Sequence, residues 1–225
     1  MTAIADLTLE KDGAVRINRA ALSFVSQIEA IIAPVSSGAP GVRLYSVPGL
    51  AGLLDGTGPI AAVACALAGQ VVLPVRAVLF NKTAESNWAL GFHQDRTIAV
   101  AERIDVSGFG PWTVKAGTVH VEPPFSVIER MITLRIHLDP VPADNAPLLI
   151  APGSHLLGRI AEASIAAVVE RCGTMKCEAN RGDVWAYATP ILHASASATQ
   201  QTNRRVLQVD YAPDSLPGGL EWAGI

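Results

Sequence analysis

Residues 87–100, NWALGFHQDRTIAV, carry the first signal of a functional site in this chain. They place His93 and Asp95 one residue apart, between an aromatic run and an aliphatic one. Successive side chains of a β-strand point to opposite faces, so His93 and Asp95 would share a face while Gln94 points away. Two good metal ligands could then converge on one point. Alone, an H-x-D pair is more often a surface histidine bonded to a nearby carboxylate.

The composition predicts one compact domain that spans residues 1–225. Half of the residues are hydrophobic, 16% are charged, and the formal net charge is −3. These values suit a globular protein and exclude a largely disordered chain. The scattered Lys and Arg residues give no sign of a nucleic-acid or membrane partner. A small-molecule substrate is therefore the expected partner, and the sequence does not indicate an oligomeric state.

The cysteines favour a cytoplasmic protein. Cys65, Cys172 and Cys177 form neither an even disulfide framework nor a CxxC pair, so reduced thiols are predicted. The first residues lack the basic-then-apolar pattern of a secretory signal, and none is expected. Residues 59–80 are nearly long enough to span a bilayer, but Arg76 would be costly in lipid. A short helix followed by a buried strand is predicted there.

The order of elements predicts a mainly β fold with flanking helices. Residues 9–17 read as a short strand with a turn at its centre, and helical spacing marks residues 19–35 and 49–69. From residue 71 onward, strand-like runs follow one another, interrupted by one helix over residues 158–173. The pattern predicts a double-stranded β-helix, the jelly-roll or cupin-like core, with an N-terminal helical layer.

A second histidine, His193, lies much later, in the apolar strand pattern WAYATPILHASASA. Two histidines and a carboxylate can hold one face of an octahedral metal, as in non-haem Fe(II) oxygenases, and leave three positions for a bidentate 2-oxo acid and dioxygen. Arg204, in the next strand candidate, could pair with the far carboxylate of that co-substrate. Because strand neighbours face opposite sides, at most one of Arg204 and Arg205 should point inward.

Three longer blocks make the pattern specific: FNKTAESNWALGFHQD, LRIHLDPVPADNAPLLIAPGSH and LHASASATQQTNRRVLQVDY. With them, the chain resembles the phytanoyl-CoA dioxygenase family of Fe(II)- and 2-oxoglutarate-dependent oxygenases over about residues 80–211. The resemblance implies that His93, Asp95 and His193 are the catalytic iron ligands. It also implies that Arg204 anchors the far carboxylate of 2-oxoglutarate and that Ser195 assists it.

The family's reaction is implied in turn. It couples decarboxylation of 2-oxoglutarate by O2 to hydroxylation, or desaturation, of an unactivated C–H bond in a small-molecule metabolite, with release of succinate and CO2. Asp95 supplies the carboxylate that halogenating relatives lack, which favours hydroxylation or desaturation. Asn81, Lys82 and Asn87 precede His93 and Asp95. One of these three residues is expected to hydrogen-bond 2-oxoglutarate, and Asn81 and Asn87 are the candidates.

Four further residues are candidate substrate contacts. Arg135 departs from the family, whose members usually carry an aromatic residue near this position. Arg135 and His137 share a face of the TLRIHLD strand. Two roles are open for them. Either their charge is compensated by Asp139 or another carboxylate, or they face the iron cavity and orient an anionic or carbonyl-bearing substrate. His120 and Trp112 lie on a predicted loop-rich insertion that would cover the mouth of the barrel.

Two other functions stay open from the sequence. A cupin-like barrel could bind a metal without turnover, and it would not need Arg204. A zinc hydrolase could use the same three ligands, although no Glu beside them offers an obvious base.

Overall fold

The computed structural model describes residues 7–36, 39–83, 87–198 and 204–225. Its helices are α1 (Leu9–Asp12), α2 (Val25–Ile32), α3 (Ala51–Leu54), α4 (Pro59–Ala68), α5 (Phe125–Glu129) and α6 (Ile165–Cys172). Its strands are β1 (Ala14–Ile17), β2 (Gly41–Arg43), β3 (Leu73–Lys82), β4 (Leu90–His93), β5 (Ile98–Val100), β6 (Trp112–Lys115), β7 (Thr118–Val121), β8 (Ile132–His137), β9 (Leu148–Ile150), β10 (Met175–Cys177), β11 (Val184–Ala188), β12 (His193–Ser195) and β13 (Arg204–Ala212).

Six antiparallel strands form a large sheet in the order β1-β11-β8-β13-β3-β2. Alternation gives this sheet two different faces. Leu134 on β8, Leu207 on β13 and Leu79 on β3 belong to the main apolar core. The residues next to them in sequence, such as Arg135 and Gln208, line a cavity on the other face. One face of the sheet therefore supplies the core, and the other supplies polar groups.

The N-terminal helices cover the apolar face. In α2, Val25, Ile28 and Ile32 are buried at helical spacing. Full burial of such a side chain stabilises the fold by about 1.5–3 kcal/mol. By length and composition alone the segment Ala51–Ala68 could cross a membrane. It forms α3 and α4 instead of one continuous helix, and both helices contribute buried residues to the main core.

A smaller sheet, in the order β10-β9-β12-β4, faces the polar side of the large sheet. Residues of β4, β9 and β12 and residues of β2, β3, β8 and β13 line one cavity of about 270 Å³ between the two sheets. A third sheet, β5-β7-β6, packs on its own apolar cluster at one side. The predicted jelly-roll core with an N-terminal helical layer is confirmed.

Several local predictions were wrong. Residues 9–12 form a helical turn instead of a strand, because the Thr8 side chain accepts a hydrogen bond from the backbone N–H of Lys11 and Gly13 ends the turn at φ 75°. The helix predicted over residues 158–173 is α-helical only in α6 and is preceded by 3-10 turns. Strand β7 and helix α5 replace the predicted loop-rich insertion.

Candidate active site

Two strands and one loop bring the predicted metal ligands together. His93 ends β4 and His193 begins β12, and these two residues are directly paired across the small sheet. Asp95 lies two residues beyond His93, just past the end of the strand. One ligand atom from each side chain lies within 4.8 Å of the others. This convergence is what a facial two-histidine, one-carboxylate metal site requires.

Backbone carbonyls orient both imidazole rings. His93 Nδ1 lies 2.8 Å from the Gly91 carbonyl oxygen, and His193 Nδ1 lies 3.0 Å from the Ile191 carbonyl oxygen. A carbonyl oxygen only accepts, so each Nδ1 is the donor, and Nε2 is the ring atom that can bind a metal. Burial lowers the pKa of His193 to about 4, against the opposing effect of Asp95. The ring is therefore neutral at pH 7, which is the form that binds a metal.

The carboxylate ligand is held in its charged form. Burial alone would raise the pKa of Asp95, but the electrostatic effects of His193, which is charged only in the acid range where Asp95 titrates, and of Arg76 outweigh burial and hold the pKa below its ordinary value. Arg76 Nη2 lies 3.8 Å from Asp95, and Arg76 Nε donates to Asp210 at 2.5 Å. Arg76 therefore orients the metal-binding carboxylate while its own charge is compensated mainly by Asp210.

Gln94, between the two ligands, fixes the loop. As the strand pattern predicted, it points away from the cavity, where it is buried. Its amide donates to the carbonyls of Gly158 (3.0 Å) and Pro190 (2.7 Å) and accepts from the N–H of Ile160 at 2.8 Å. Three hydrogen bonds in a buried setting hold the segment that carries Asp95 against two distant parts of the chain.

Arg204 lines the cavity, and no carboxylate of the described residues lies within ion-pair distance of it. It starts β13, is 2% exposed, and donates through Nη1 to the Ala146 carbonyl, while its Nε has no hydrogen-bond partner. Burial and then the positive charge of Arg135 lower its pKa to about 9. A buried guanidinium in this state is stabilised by an incoming carboxylate. Arg205, beside it, faces away and pairs with Asp139 at 2.7 Å, so only one of the two arginines points inward, as predicted.

The comparison with known proteins follows from this arrangement. The family model for phytanoyl-CoA dioxygenase matches residues 53–206, more than half of the chain. The chain belongs to this family. Membership places it among the Fe(II)- and 2-oxoglutarate-dependent oxygenases, as the sequence resemblance implied. No curated protein matches the chain significantly.

Solved structures of low sequence identity share the fold of this phytanoyl-CoA dioxygenase family member. AviO1 from Streptomyces viridochromogenes Tue57 is 20% identical, with a TM-score of 0.62 over 97% of each chain. Apo EctD from S. alaskensis is 16% identical, with a TM-score of 0.67 over 100% of this chain and 81% of its own. SnoK, a non-haem α-ketoglutarate-dependent carbocyclase from nogalamycin biosynthesis, is 17% identical, with a TM-score of 0.65 over 100% and 88%.

Two further polar residues of this protein, Ser195 and Lys82, lie next to Arg204. Ser195 lines the cavity, and its Oγ accepts a hydrogen bond from Lys82 Nζ at 2.9 Å. Lys82 is 1% exposed, also donates to the Ala196 carbonyl at 2.5 Å, and lies 4.8 Å from the Trp88 ring centroid. Burial and then the charge of Arg204 lower the pKa of Lys82 to about 8.

The two asparagines predicted to hold 2-oxoglutarate do not line the cavity. Asn81 lies between two inward-facing residues of β3, Phe80 and Lys82, so its side chain faces the opposite side of the sheet. The Asn87 side chain bridges to the backbone of Ala198, donating to its carbonyl at 2.8 Å and accepting from its N–H at 2.7 Å. These positions do not support a contact of either asparagine with 2-oxoglutarate. The strand parity already favoured Lys82 over Asn81, because Lys82 shares a face with Arg76.

Arg135 lines the cavity and His137 does not. Arg135 Nη1 donates to Gln208 Oε1 at 2.7 Å, and its Nε is buried without a partner. The expected partner Asp139 pairs with Arg205 instead. Both His137 ring nitrogens are buried without a hydrogen-bond partner, and burial followed by Arg135 lowers its pKa well below the ordinary value. His137 is thus a neutral residue on the same face of β8 as Arg135, but it is not among the residues that line the cavity, and a direct contact with substrate is not supported.

His120 and Trp112 also lie outside the cavity. His120 is fully buried in β7, where its Nδ1 bonds to the Thr118 carbonyl at 3.0 Å. Trp112 begins β6, packs on the apolar cluster of the third sheet, and has the Arg103 guanidinium 5.4 Å from its ring. Their predicted role as substrate contacts is corrected for the same reason in both cases. The segment is a strand pair with its own core, and the sequence reading took it for loop.

Proposed function

We propose that the chain binds Fe(II) through His93, Asp95 and His193 and uses 2-oxoglutarate and O2 to hydroxylate, or desaturate, an unactivated C–H bond of a small-molecule metabolite. Succinate and CO2 are the co-products. The observation that carries the proposal is one cavity lined both by a two-histidine, one-carboxylate ligand set and by a buried arginine, Arg204, that has no ion-pair partner among the described residues. When bound, iron and 2-oxoglutarate supply the oxidising chemistry.

The protein's own residues bind and orient the two cofactors. Two Nε2 lone pairs and one carboxylate provide a hard, mixed N/O ligand set that suits Fe(II) and leaves positions for a co-substrate. Arg204 provides a charged fork for the far carboxylate of 2-oxoglutarate, with Ser195 and Lys82 beside it. Apolar side chains of the lining, among them Val78, exclude water from the reacting centre.

Relatives support the choice of cofactors. EctD has been solved with bound Fe and, separately, with 2-oxoglutarate and 5-hydroxyectoine, and SnoN with Fe3+, α-ketoglutarate and a nogalamycin compound. These are statements about those proteins. For the present chain, they favour a small metabolite as substrate over a macromolecule. The free thiols Cys65, Cys172 and Cys177 support the proposal of a cytoplasmic location.

The alternatives fit the site less well. A metal-binding barrel without turnover has no use for a buried, uncompensated Arg204, which costs stability. A zinc hydrolase needs a general base near the metal, and among the described residues that line the cavity Asp95 is the only carboxylate. Since Asp95 is itself a ligand in that scheme, no carboxylate is left to act as base.

The test measures cofactor binding and turnover together. Wild-type protein is titrated anaerobically with Fe(II) and then with 2-oxoglutarate by calorimetry, and succinate is measured after O2 is admitted. His93→Ala should lose Fe(II) binding and succinate formation. His155→Ala is the matched control, because His155 bonds to the Glu10 carbonyl and does not line the cavity. Fe(II) binding by His93→Ala at wild-type affinity would disprove the assignment, as would hydrolytic activity seen with Zn(II) and not with Fe(II).

A further inference from the structure

The cavity carries more positive charge than the two cofactors need. Four arginines line it: Arg43, Arg76, Arg135 and Arg204. Arg76 is compensated by its ion pairs with Asp210 and Asp95. Within the described part of the chain, the other three have no carboxylate within ion-pair distance. Each of these three also has a buried Nε without a hydrogen-bond partner. Arg204 is assigned to 2-oxoglutarate, which leaves two arginines.

The strand register separates Arg43 from the 2-oxoglutarate end. Arg43 on β2 pairs with Val78 on β3, Val78 with Gln208 on β13, and Gln208 with Arg135 on β8. These four residues form one row across the sheet, so Arg43 and Arg135 lie three strands apart, about 14 Å between backbones. Arg204 lies four residues along β13 from this row, about 13 Å away.

The two remaining arginines differ in their surroundings. Arg135 is 6% exposed, donates to Gln208, and lies near enough to Arg204 to lower its pKa. It therefore belongs to the inner, 2-oxoglutarate side. Arg43 is only half-buried and lies on the edge strand. Burial, followed by the charge of Arg76, lowers its pKa. The charged residue that affects Arg43 most is thus Arg76, the arginine beside the metal-binding Asp95.

A second cation lies on the same side. Lys115, exposed on β6, forms no ion pair with any described residue, and its Nζ donates to Thr97 Oγ1 at 3.1 Å. After burial, the charges of Asp95, Arg76 and Arg43 have the largest effects on the pKa of Lys115, so it lies near these residues. Tyr45, just after β2, shares a 2.8 Å hydrogen bond with Thr118 of β7, which ties the β2 edge to the third sheet. This rim is therefore a built structure that presents positive charge to the cavity mouth.

We propose that Arg43 binds an anionic group of the primary substrate, a carboxylate or a phosphate, on the side of the cavity away from Arg204, with Lys115 adding to the attraction. The inference rests on the proposed function, because it assigns Arg204 to 2-oxoglutarate. A half-buried guanidinium without a partner is stabilised when an anion replaces the lost water. It would hold the substrate by its charged end beside the metal ligands.

The experiment compares matched charged and neutral probes. Protein saturated with Fe(II) and 2-oxoglutarate under anaerobic conditions is titrated with hexanoate, hexyl phosphate and the neutral analogue hexanamide by calorimetry. Wild-type protein should bind one of the two anions at least tenfold more tightly than the amide, and the preferred anion identifies the group as carboxylate or phosphate. Arg43→Gln should remove this preference while the Kd for 2-oxoglutarate stays within about twofold.

Two further variants control the result. Arg43→Lys keeps the charge and should retain part of the preference, and melting temperatures verify that both variants are folded. Arg103→Gln removes an exposed arginine that pairs with Asp105 outside the cavity, and it should behave as wild type. Wild-type protein that binds all three probes alike would overturn the proposal. So would an Arg43→Gln variant that keeps the preference, or that loses 2-oxoglutarate binding instead. Failure of wild-type protein to bind Fe(II) or 2-oxoglutarate would count against the proposed function itself.

Discussion

Arg204 and Arg205 are adjacent in sequence, but they face opposite sides of the large sheet. Arg204 points into the cavity and has no ion pair with any residue that the structure describes, whereas Arg205 forms ion pairs with Asp139 and Glu29, each at 2.7 Å. Substitutions at these two residues therefore test the two faces of the strand separately. Removing the charge of Arg204 should affect ligand binding, whereas removing the charge of Arg205 should affect the stability of the fold.

Arg204→Gln should weaken 2-oxoglutarate binding. Loss of a charge-assisted contact costs about 1.5–3 kcal/mol, roughly a ten- to hundredfold increase in Kd. Anaerobic calorimetry with Fe(II)-loaded protein measures it. Arg205→Gln is the control and should leave this Kd unchanged while it lowers the melting temperature. Equal losses of affinity in both variants would show that the effect is structural.

Lys82 predicts how 2-oxoglutarate binding depends on pH. Its pKa of about 8 lies below the ordinary value of 10.5, mainly because the ammonium is buried. The free protein therefore loses this positive charge as pH rises through 8, while an anion beside Lys82 favours the protonated form. The affinity for 2-oxoglutarate should fall from pH 8 upward, by at most about tenfold per pH unit.

Calorimetry from pH 7 to pH 9 on wild-type protein and on Lys82→Met measures this dependence. The variant has no charge to lose and should bind more weakly at pH 7, with a flatter profile. Parallel profiles for the two proteins would mean that Lys82 does not act on the co-substrate.

At the level of elements, one carboxylate joins a helix to the large sheet. Glu29 on α2 pairs with Arg181, before β11, at 2.6 Å and with Arg205 on β13 at 2.7 Å. The hydrogen bond from Arg181 is the largest cause that holds the pKa of Glu29 below 4.5. The helix that covers the apolar face is thus also fixed at its polar side.

Glu29→Gln should lower the free energy of unfolding by about 1 kcal/mol at pH 7, since it weakens two partly exposed ion pairs. A carboxyl group whose pKa is depressed by folding stabilises the protein above its unfolded pKa and loses this effect as pH falls. The difference between variant and wild type should therefore begin to shrink near pH 4.5, be smaller at pH 4 than at pH 7, and disappear only as pH falls through the lower pKa of the folded state. Urea denaturation at pH 7 and pH 4 measures it. Glu162→Gln, which removes an 85% exposed partner of Arg96, should change nothing at either pH.

The strands that could be predicted from the sequence are those in which apolar and polar residues alternate over several positions. In β8, apolar and polar residues alternate over six residues, and in β13 they alternate from Leu207 to Tyr211, so the two faces of these strands followed directly. Alternation also predicted that at most one of Arg204 and Arg205 points inward, and the family resemblance selected Arg204. Strands β2 and β7 have only three and four residues, which is too short for alternation to identify a strand. These two short strands form because they pair with other strands of the fold. Arg43 and the true position of His120 were missed for this reason.

At the scale of the whole molecule, the jelly roll brings together residues that are remote in sequence. Pairing of β4 with β12 places His93 beside His193, and the large sheet positions Arg204 across the same cavity. The sequence alone could name these residues because their types and spacing match a family. It could not give their surroundings, such as the missing counter-ion of Arg204, because those depend on every neighbouring strand.

Since the metal ligands belong to the small sheet and the loop after β4, and Arg204 belongs to the large sheet, binding of both cofactors should stabilise the whole fold. A ligand at a hundredfold excess over its Kd adds about 2.7 kcal/mol to the free energy of unfolding. For a chain of this length that corresponds to an increase of roughly 5–10 °C in melting temperature. Anaerobic thermal unfolding should show one such increase with Fe(II) and a second when 2-oxoglutarate is added. A chelator should reverse both increases.

The variants separate the two increases. His93→Ala should show neither, because 2-oxoglutarate binds next to the metal, whereas Arg204→Gln should keep the first and lose most of the second. A wild-type protein that responds to the metal and never to 2-oxoglutarate would instead be the metal-binding barrel without turnover. In that case Arg204 would need another partner, and the charge on the inner side of the cavity would have to serve a different anion.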